Sequence, residues 1–351
     1  MSEKKATKDD KKKEEGGEKE VKKVKFGGRG SRKNQFLSPT GVAVSESSEI
    51  FVADSLNERI AVCDTRGKVV RAFNTVAKRQ PFRPHDVSVD KDGNLWVVGT
   101  MFEVKKKAYI RQNLLAQFSN AGRFLTKIDL PLTGVTSGIA MRADIKHVRV
   151  QATSEGKSSK KKKKGGEPNK SEEENDGLEN FTNSVEVVVT DQRTRMVERK
   201  GYSESCVTVY TPDGTPVKVV GPRNTRKPTG VAVNQKGDLY VTDSWLHCVH
   251  VFMEGRDVTK KYKKFGSFGS GDGQLDSPHG ICLDRQGDVI VVDRGNWRVS
   301  VFNSEGKFLR HVITDMQDLC AVAAGPNFLV VTCVGHCGTD TATIIPYSND
   351  K

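Results

Sequence analysis

Three segments of the chain each carry three basic residues and no acid. They are GGRGSRKNQFLS with Arg29, Arg32 and Lys33, NTVAKRQPFRPH with Lys78, Arg79 and Arg83, and GPRNTRKPT with Arg223, Arg226 and Lys227. A fourth, GTMFEVKKKAYIR, sets Lys105, Lys106, Lys107 and Arg111 against the lone acid Glu103. Guanidinium and ammonium groups gathered this way suit phosphates and acidic side chains. Trp245 and His247 in DSWLHCV, and Arg294 and Trp297 in DRGNWRV, add rings and polar groups that could stack on unpaired bases and read them.

The elements that must position these groups are copies of one repeat. GVAVSESSEIFVADSLNERIAVCDTRGKVVRAF begins at Gly41, GVAVNQKGDLYVTDSWLHCVHVF at Gly230 and GICLDRQGDVIVVDRGNWRVSVFNSEGKFL at Gly280. Each reads as short apolar, β-branched strands punctuated by Asp, Asn, Gly and Ser. Weaker copies begin with DVSVDKDGNLWVVG at Asp86, GIAM at Gly138 and AVAA at Ala321. A period of about 40 to 50 residues with four strands per copy is the signature of a propeller blade. The expectation is an all-β, six-bladed β-propeller. The last blade has too little chain after Tyr347 for a fourth strand, so VKKVKFG, residues 21–27, is expected to complete it and close the ring.

Two polar segments fall outside the repeats. Residues 1–20 form a Lys/Glu-rich tail, the propeller spans 21–347 with an insert at about 153–184 in blade 3, and 348–351 are a short end. Tail and insert are too polar to bury a core, and disorder is expected of both. Residues 1–25 contribute +3 and the insert zero to the net charge of +13, which leaves +10 for the propeller. Lys160 to Lys164 read as solvated linker before they read as a targeting signal.

In a propeller the loops from strand d to the next strand a, and from b to c, share one face. Assigning charges by loop gives about +6 on that face and about −2 on the other, with about +8 at the entrances and tops of blades 1 and 2. The insert, which follows strand a of blade 3, is expected on the opposite face. The alternative for Trp245 and Trp297 is packing against a neighbouring blade. For Asp54, Arg59, Asp293 and Arg298, which recur at repeat spacing, bonding within their own loops is the favoured reading.

The pattern P-x-G-V-A-V, then Y/V-V-T/A/V-D-S-x-N-x-R-I/V-x-V-F, then G-K-F-L, with FGSFGSGDGQLDSP ahead of one blade, resembles NHL repeats. The arrangement is similar to the C-terminal propeller of tripartite-motif NHL proteins. That resemblance implies a recognition module for RNA or for protein partners, usually placed behind a RING, B-boxes and a coiled coil that confer ubiquitin ligase activity. No RING-type Cys/His spacing occurs here, so ligase activity is expected only from another chain or other domains.

Related propellers include zinc-dependent lyases. His85 and His279, in blades 2 and 5, and Cys320 fall at the mouth of the central channel by repeat alignment, and form a low-ranked candidate for a three-ligand metal site. Cys333, His336 and Cys337 in CVGHC supply at most three ligands and are read as ordinary loop residues. No nucleophile elbow, phosphate-binding loop or H-E-x-x-H motif occurs, and no cofactor is implied.

Seven cysteines without a paired spacing suit a reduced compartment, and no apolar run is long enough to span a membrane. The sequence therefore points to a non-catalytic scaffold in the cytoplasm, with the nucleus also open to it. Its expected ligand is single-stranded or looped RNA on the basic face. The alternative is a protein-interaction module serving ubiquitin-ligase components, and the least favoured is a zinc-dependent enzyme.

Overall fold

The structure is a computed structural model that describes residues 23–105, 108–130, 134–146, 183–193, 205–221, 225–254, 262–335 and 339–348. The tail expected over 1–20 and most of the insert expected at about 153–184 lie outside these residues. Six four-stranded antiparallel sheets surround a central channel. From the channel outward, strands a to d of blade 1 are Pro39–Val44, Ile50–Asp54, Arg59–Cys63 and Val69–Asn74. Blade 2 comprises Arg83–Val89, Leu95–Lys105, Ala108–Phe118 and Phe124–Asp129. Blade 3 comprises Gly134–Lys146, Asn183–Arg193, Cys206–Tyr210 and Pro216–Val220. Blade 4 comprises Pro228–Val233, Leu239–Asp243, Cys248–Phe252 and Lys263–Phe265, and blade 5 Pro278–Leu283, Val289–Asp293, Arg298–Phe302 and Phe308–Ile313.

Blade 6 takes Leu319–Ala324, Phe328–Cys333 and Thr341–Pro346 from the end of the chain and Val24–Gly27 from its beginning. The N-terminal strand pairs antiparallel with the third, Val24 opposite Ile344 and Gly27 opposite Thr341. Each strand a touches the strand a of the next blade, and blade 6 touches blade 1, so the ring is continuous.

Every blade has both faces covered. The middle strands Ile50–Asp54, Leu239–Asp243 and Val289–Asp293 are therefore buried at every residue, which explains their continuous apolar text. The core lies between blades: Phe51, Phe82 and Phe118 fill the junction of blades 1 and 2, and Ile290, Leu329 and Val331 that of blades 5 and 6. Each such side chain contributes about 1.5–3 kcal/mol by leaving water.

The glycine opening each strong repeat has a steric cause. A Cβ on Gly41 would stand 2.5 Å from Asp86 Cα, and one on Gly280 2.7 Å from Ala321 Cα. Inner strands approach too closely around the channel for most side chains.

Some boundaries differ from the sequence reading. Strand a of blade 2 begins at Arg83 rather than Asp86, and that of blade 3 at Gly134 rather than Gly138, because each bulges before the expected start. GTMFEVKKKAYIR is no loop. Strands b and c of blade 2 continue through its described residues as an unbroken ladder to the pair Lys105–Ala108.

Candidate nucleic-acid interface

The antiparallel order within each sheet puts the d-to-a and b-to-c connections at one end of the ring. Arg29, Arg32, Lys33, Arg79, Arg83, Arg226 and Lys227 are all exposed there, and Arg294 is half-buried. The side chain of Lys105, and Lys106, Lys107 and Arg223 altogether, lie outside the described residues.

Lys78 and Arg79 form the tip of a small hairpin in which Val76–Ala77 pairs with Gln80–Pro81. Both have positive φ, +48° and +71°, the conformation a two-residue hairpin turn demands and that Asn-Gly adopts at lower cost. Arg83 emerges just beyond it, 4.0 Å from Glu58 and with its guanidinium 5.0 Å from the centroid of the Phe102 ring.

A second cluster lies across blades 4 and 5. Lys227, Ser244, Trp245, His247, Ser277, His279 and Arg294 line one cleft of about 480 Å³. Trp245 is 64% exposed and Trp297 49%, so neither is a core residue. Trp96, with 1% exposure, packs between blades 2 and 3 instead.

The cleft is fixed by a buried carboxylate. Asp243 Oδ1 accepts the N–H of Lys227, Trp245 and Leu246, at 3.1, 3.0 and 3.0 Å, and Oδ2 that of Arg226 at 2.6 Å. Burial alone would raise its pKa, but the His250 imidazole and these N–H groups outweigh it and hold the carboxyl below its usual range. His247, at φ +51°, accepts the Ser277 N–H on Nδ1 at 3.0 Å and meets the Phe268 ring edge-on at 4.8 Å. Phe268, 67% exposed, went unnoticed in the sequence because FGSFGSG reads as linker.

Other basic residues are architectural. Arg59 Nε donates to Asp54 Oδ2 and Arg298 Nε to Asp293 Oδ2, each at 2.7 Å, and both guanidiniums also donate to carbonyls of the segment entering their own blade. Cys248 stands at the equivalent position in blade 4, where His250 Nε2 approaches Asp243 Oδ2 at 3.6 Å instead.

His85, His279 and Cys320 line the channel, as their repeat positions imply. Burial, then Arg111 and Arg83, lowers His85 to about 4; burial, then Arg294 and Lys227, does the same for His279. Among the described residues, no group of three His, Cys, Asp or Glu is arranged to hold a metal ion. Cys333 is buried, and His336 and Cys337 lie outside the described residues. The sequence reading passed over Asp86, which takes the place of the repeat glycine in the channel wall. It accepts the N–H of Val87 and Ile139 at 2.9 and 3.1 Å, and burial raises its pKa to about 7.

Residues 225–252 and 275–302 match the NHL repeat family. Protein lin-41 of Caenorhabditis elegans is 56% identical over 45 residues, 13% of this chain and 4% of that protein. Protein brain tumor of Drosophila melanogaster is 44% identical over 45 residues, again 13% and 4%, and the E3 ubiquitin-protein ligase TRIM71 of Xenopus tropicalis 50% over 44, or 12% and 5%. The matches thus span only a small part of these relatives. Among solved structures, a gluconolactonase from Xanthomonas campestris superposes with a TM-score of 0.54 at 15% identity, covering 88% of this chain and 85% of that one. A streptogramin B lyase gives 0.52 at 13%, covering 94% and 88%. Identities this low speak to the propeller fold alone. No helix among the described residues is long and apolar enough to cross a membrane. The chain carries NHL repeats in a six-bladed propeller, and its repeats resemble those of tripartite-motif NHL proteins.

Proposed function

We propose that this propeller is a non-catalytic scaffold that binds single-stranded or looped RNA on its basic face, acting in the cytoplasm. The observation that carries the reading is the cleft between blades 4 and 5, where a solvent-facing Trp245 stands with Lys227 and Arg294. An exposed indole offers a stacking surface to any unpaired base, and the adjoining cations suit the phosphates on either side. Arg29, Arg32, Lys33, Arg79 and Arg83 extend the positive surface toward blades 1 and 2, so that phosphate contacts position the strand while the cleft reads bases.

The test is binding of a pool of short single-stranded RNAs by fluorescence anisotropy. The expected result is salt-dependent binding that the double substitution Arg79→Glu, Arg83→Glu abolishes while the unfolding transition stays in place. Unchanged affinity in that variant removes the surface from consideration.

A second reading is a protein-recognition module for a ubiquitin-ligase system, favoured by the similarity to a protein named as an E3 ubiquitin ligase. Immunoprecipitation from cells with and without RNase separates the two. A shared RNA element supports the first, and protein partners indifferent to RNase support the second.

A further inference from the structure

Thr40 Oγ1 on blade 1 and His85 Nε2 and Arg111 Nε on blade 2 are buried side-chain atoms without a hydrogen-bond partner. Thr40 and His85 occupy equivalent positions on adjoining inner strands and both line the channel. Arg111, on strand c of blade 2, pairs across the ladder with Phe102, whose ring carries the guanidinium of Arg83. Arg83 pairs with Thr100, two residues from Phe102 on the same strand, so Arg83 and Arg111 flank Phe102 on one face of the blade, with His85 two residues beyond Arg83 and under the charge of both.

Among the side chains the structure describes, this region is short of negative charge. Glu58 stands 4.0 Å from Arg83, at the limit of an ion pair. The Asp86 oxygens are taken by the N–H groups of Val87 and Ile139, and its carboxyl is held near neutrality by burial. A buried guanidinium N–H with no acceptor is costly, and two guanidiniums flanking one ring repel. An oxyanion relieves both costs. Two forked donors match the tetrahedral oxygens of a phosphate better than a single ammonium would. Arg83 is exposed, which leaves the region open to solvent.

We propose that the inner rim of blade 2 is a seat for one phosphate group, held by Arg111 and Arg83 with His85 beside it. The group could belong to an RNA backbone, in which case the seat rests on the reading above, or to free phosphate. Both sources share the chemistry, and the experiment separates them.

The experiment follows the histidine ring nitrogens of the full chain by NMR while inorganic phosphate is added at constant pH and ionic strength. The expected result is a saturable shift of the His85 signals with a rise in its pKa from about 4, because a bound anion favours the protonated ring. Arg111→Met is expected to abolish the shift. Arg83→Met, at an exposed position that tolerates substitution, is expected to weaken phosphate affinity several-fold, and Arg66→Met on the opposite face to change nothing. A short single-stranded RNA is then added to the phosphate-saturated protein. Displacement of phosphate assigns the seat to the RNA backbone. Phosphate binding that RNA does not displace keeps the seat and counts against RNA on this rim. Absence of a saturable shift, or a shift that survives in both arginine variants, overturns the proposal.

Discussion

Asp243 Oδ1 accepts the backbone N–H of Trp245 at 3.0 Å, so a fully buried carboxylate sets the position of the most exposed tryptophan in the chain. The same carboxylate holds Arg226 and Lys227 through their N–H groups. One side chain therefore joins the b-to-c loop of blade 4 to the segment that enters it. Asp243→Ala strands several buried N–H groups and is expected to cost about 2–4 kcal/mol of stability along with RNA affinity. Trp245→Ala is expected to leave stability within about 0.5 kcal/mol and to lose about 1–3 kcal/mol of binding, the worth of one stacked base. Urea unfolding and anisotropy on the two variants test the separation, and equal effects on stability refute it.

The hairpin tip predicts the opposite pairing of effects. Lys78 and Arg79 sit at φ +48° and +71°, which costs a non-glycine residue about 1 kcal/mol or more. Replacing them by Asn and Gly is expected to raise stability by roughly 0.5–1 kcal/mol while RNA affinity falls. A variant that is stabilised without loss of affinity would show that the two cations serve no ligand.

Parts of this were legible in the sequence for physical reasons. Gly41, Gly230 and Gly280 mark the close approach of inner strands, and runs such as VIVVD mark strands buried on both faces, so the repeat itself specifies the ring. Exposed arginines in the segments entering blades 1 and 2 followed from topology, since both connection types emerge at one end. The tryptophans were not separable by pattern alone. Trp96 and Trp245 both lie near repeat strands, yet one is buried and the other open, because exposure depends on what a loop packs against. Phe102, and the place of Arg111 on a strand rather than a loop, were hidden because the long hairpin of blade 2 departs from the length of its sister blades. Asp86 opens one of the weaker repeat copies, and its burial is visible only once blade 3 is in place.

Asp86 carries a pH dependence whose sign can be stated. Its folded pKa is raised to about 7, burial being the leading cause, while the unfolded value is 3.8. Between these values the folded state binds more protons, so its contribution to stability falls as pH rises through the window. Asp86→Asn keeps an acceptor for the Val87 and Ile139 N–H groups and removes the charge. The variant is expected to match the parent near pH 4 and to exceed it at pH 8 by roughly 1–2 kcal/mol, after discounting for solvent in an open channel. Urea midpoints at the two pH values check this, and a constant difference between parent and variant excludes a titrating Asp86.

Arg298 separates architecture from binding among the cations of the same face. The residue is 8% exposed, and its guanidinium donates to Asp293, a residue with no exposure, and to the carbonyls of Ser270, Gly271 and Gln274. Removing it leaves Asp293 charged and buried, although Asp276 N–H and Asn296 Nδ2 still donate to that carboxylate. Arg298→Ala is therefore expected to cost roughly 3 kcal/mol of stability, the scale for breaking a buried pair from one side. At a temperature where the variant remains folded, its RNA affinity should equal the parent's, whereas Arg83→Ala should bind more weakly and unfold normally. The contrast follows from where each guanidinium stands: Arg298 donates to Asp293 and to carbonyls of the segment entering its own blade, while exposed Arg83 lies over Phe102 with Glu58 at 4.0 Å. An Arg298→Ala protein that is folded yet no longer binds RNA would show that the Arg298 guanidinium serves the ligand as well as the architecture, either directly or by holding the loop that carries Arg294 into the cleft.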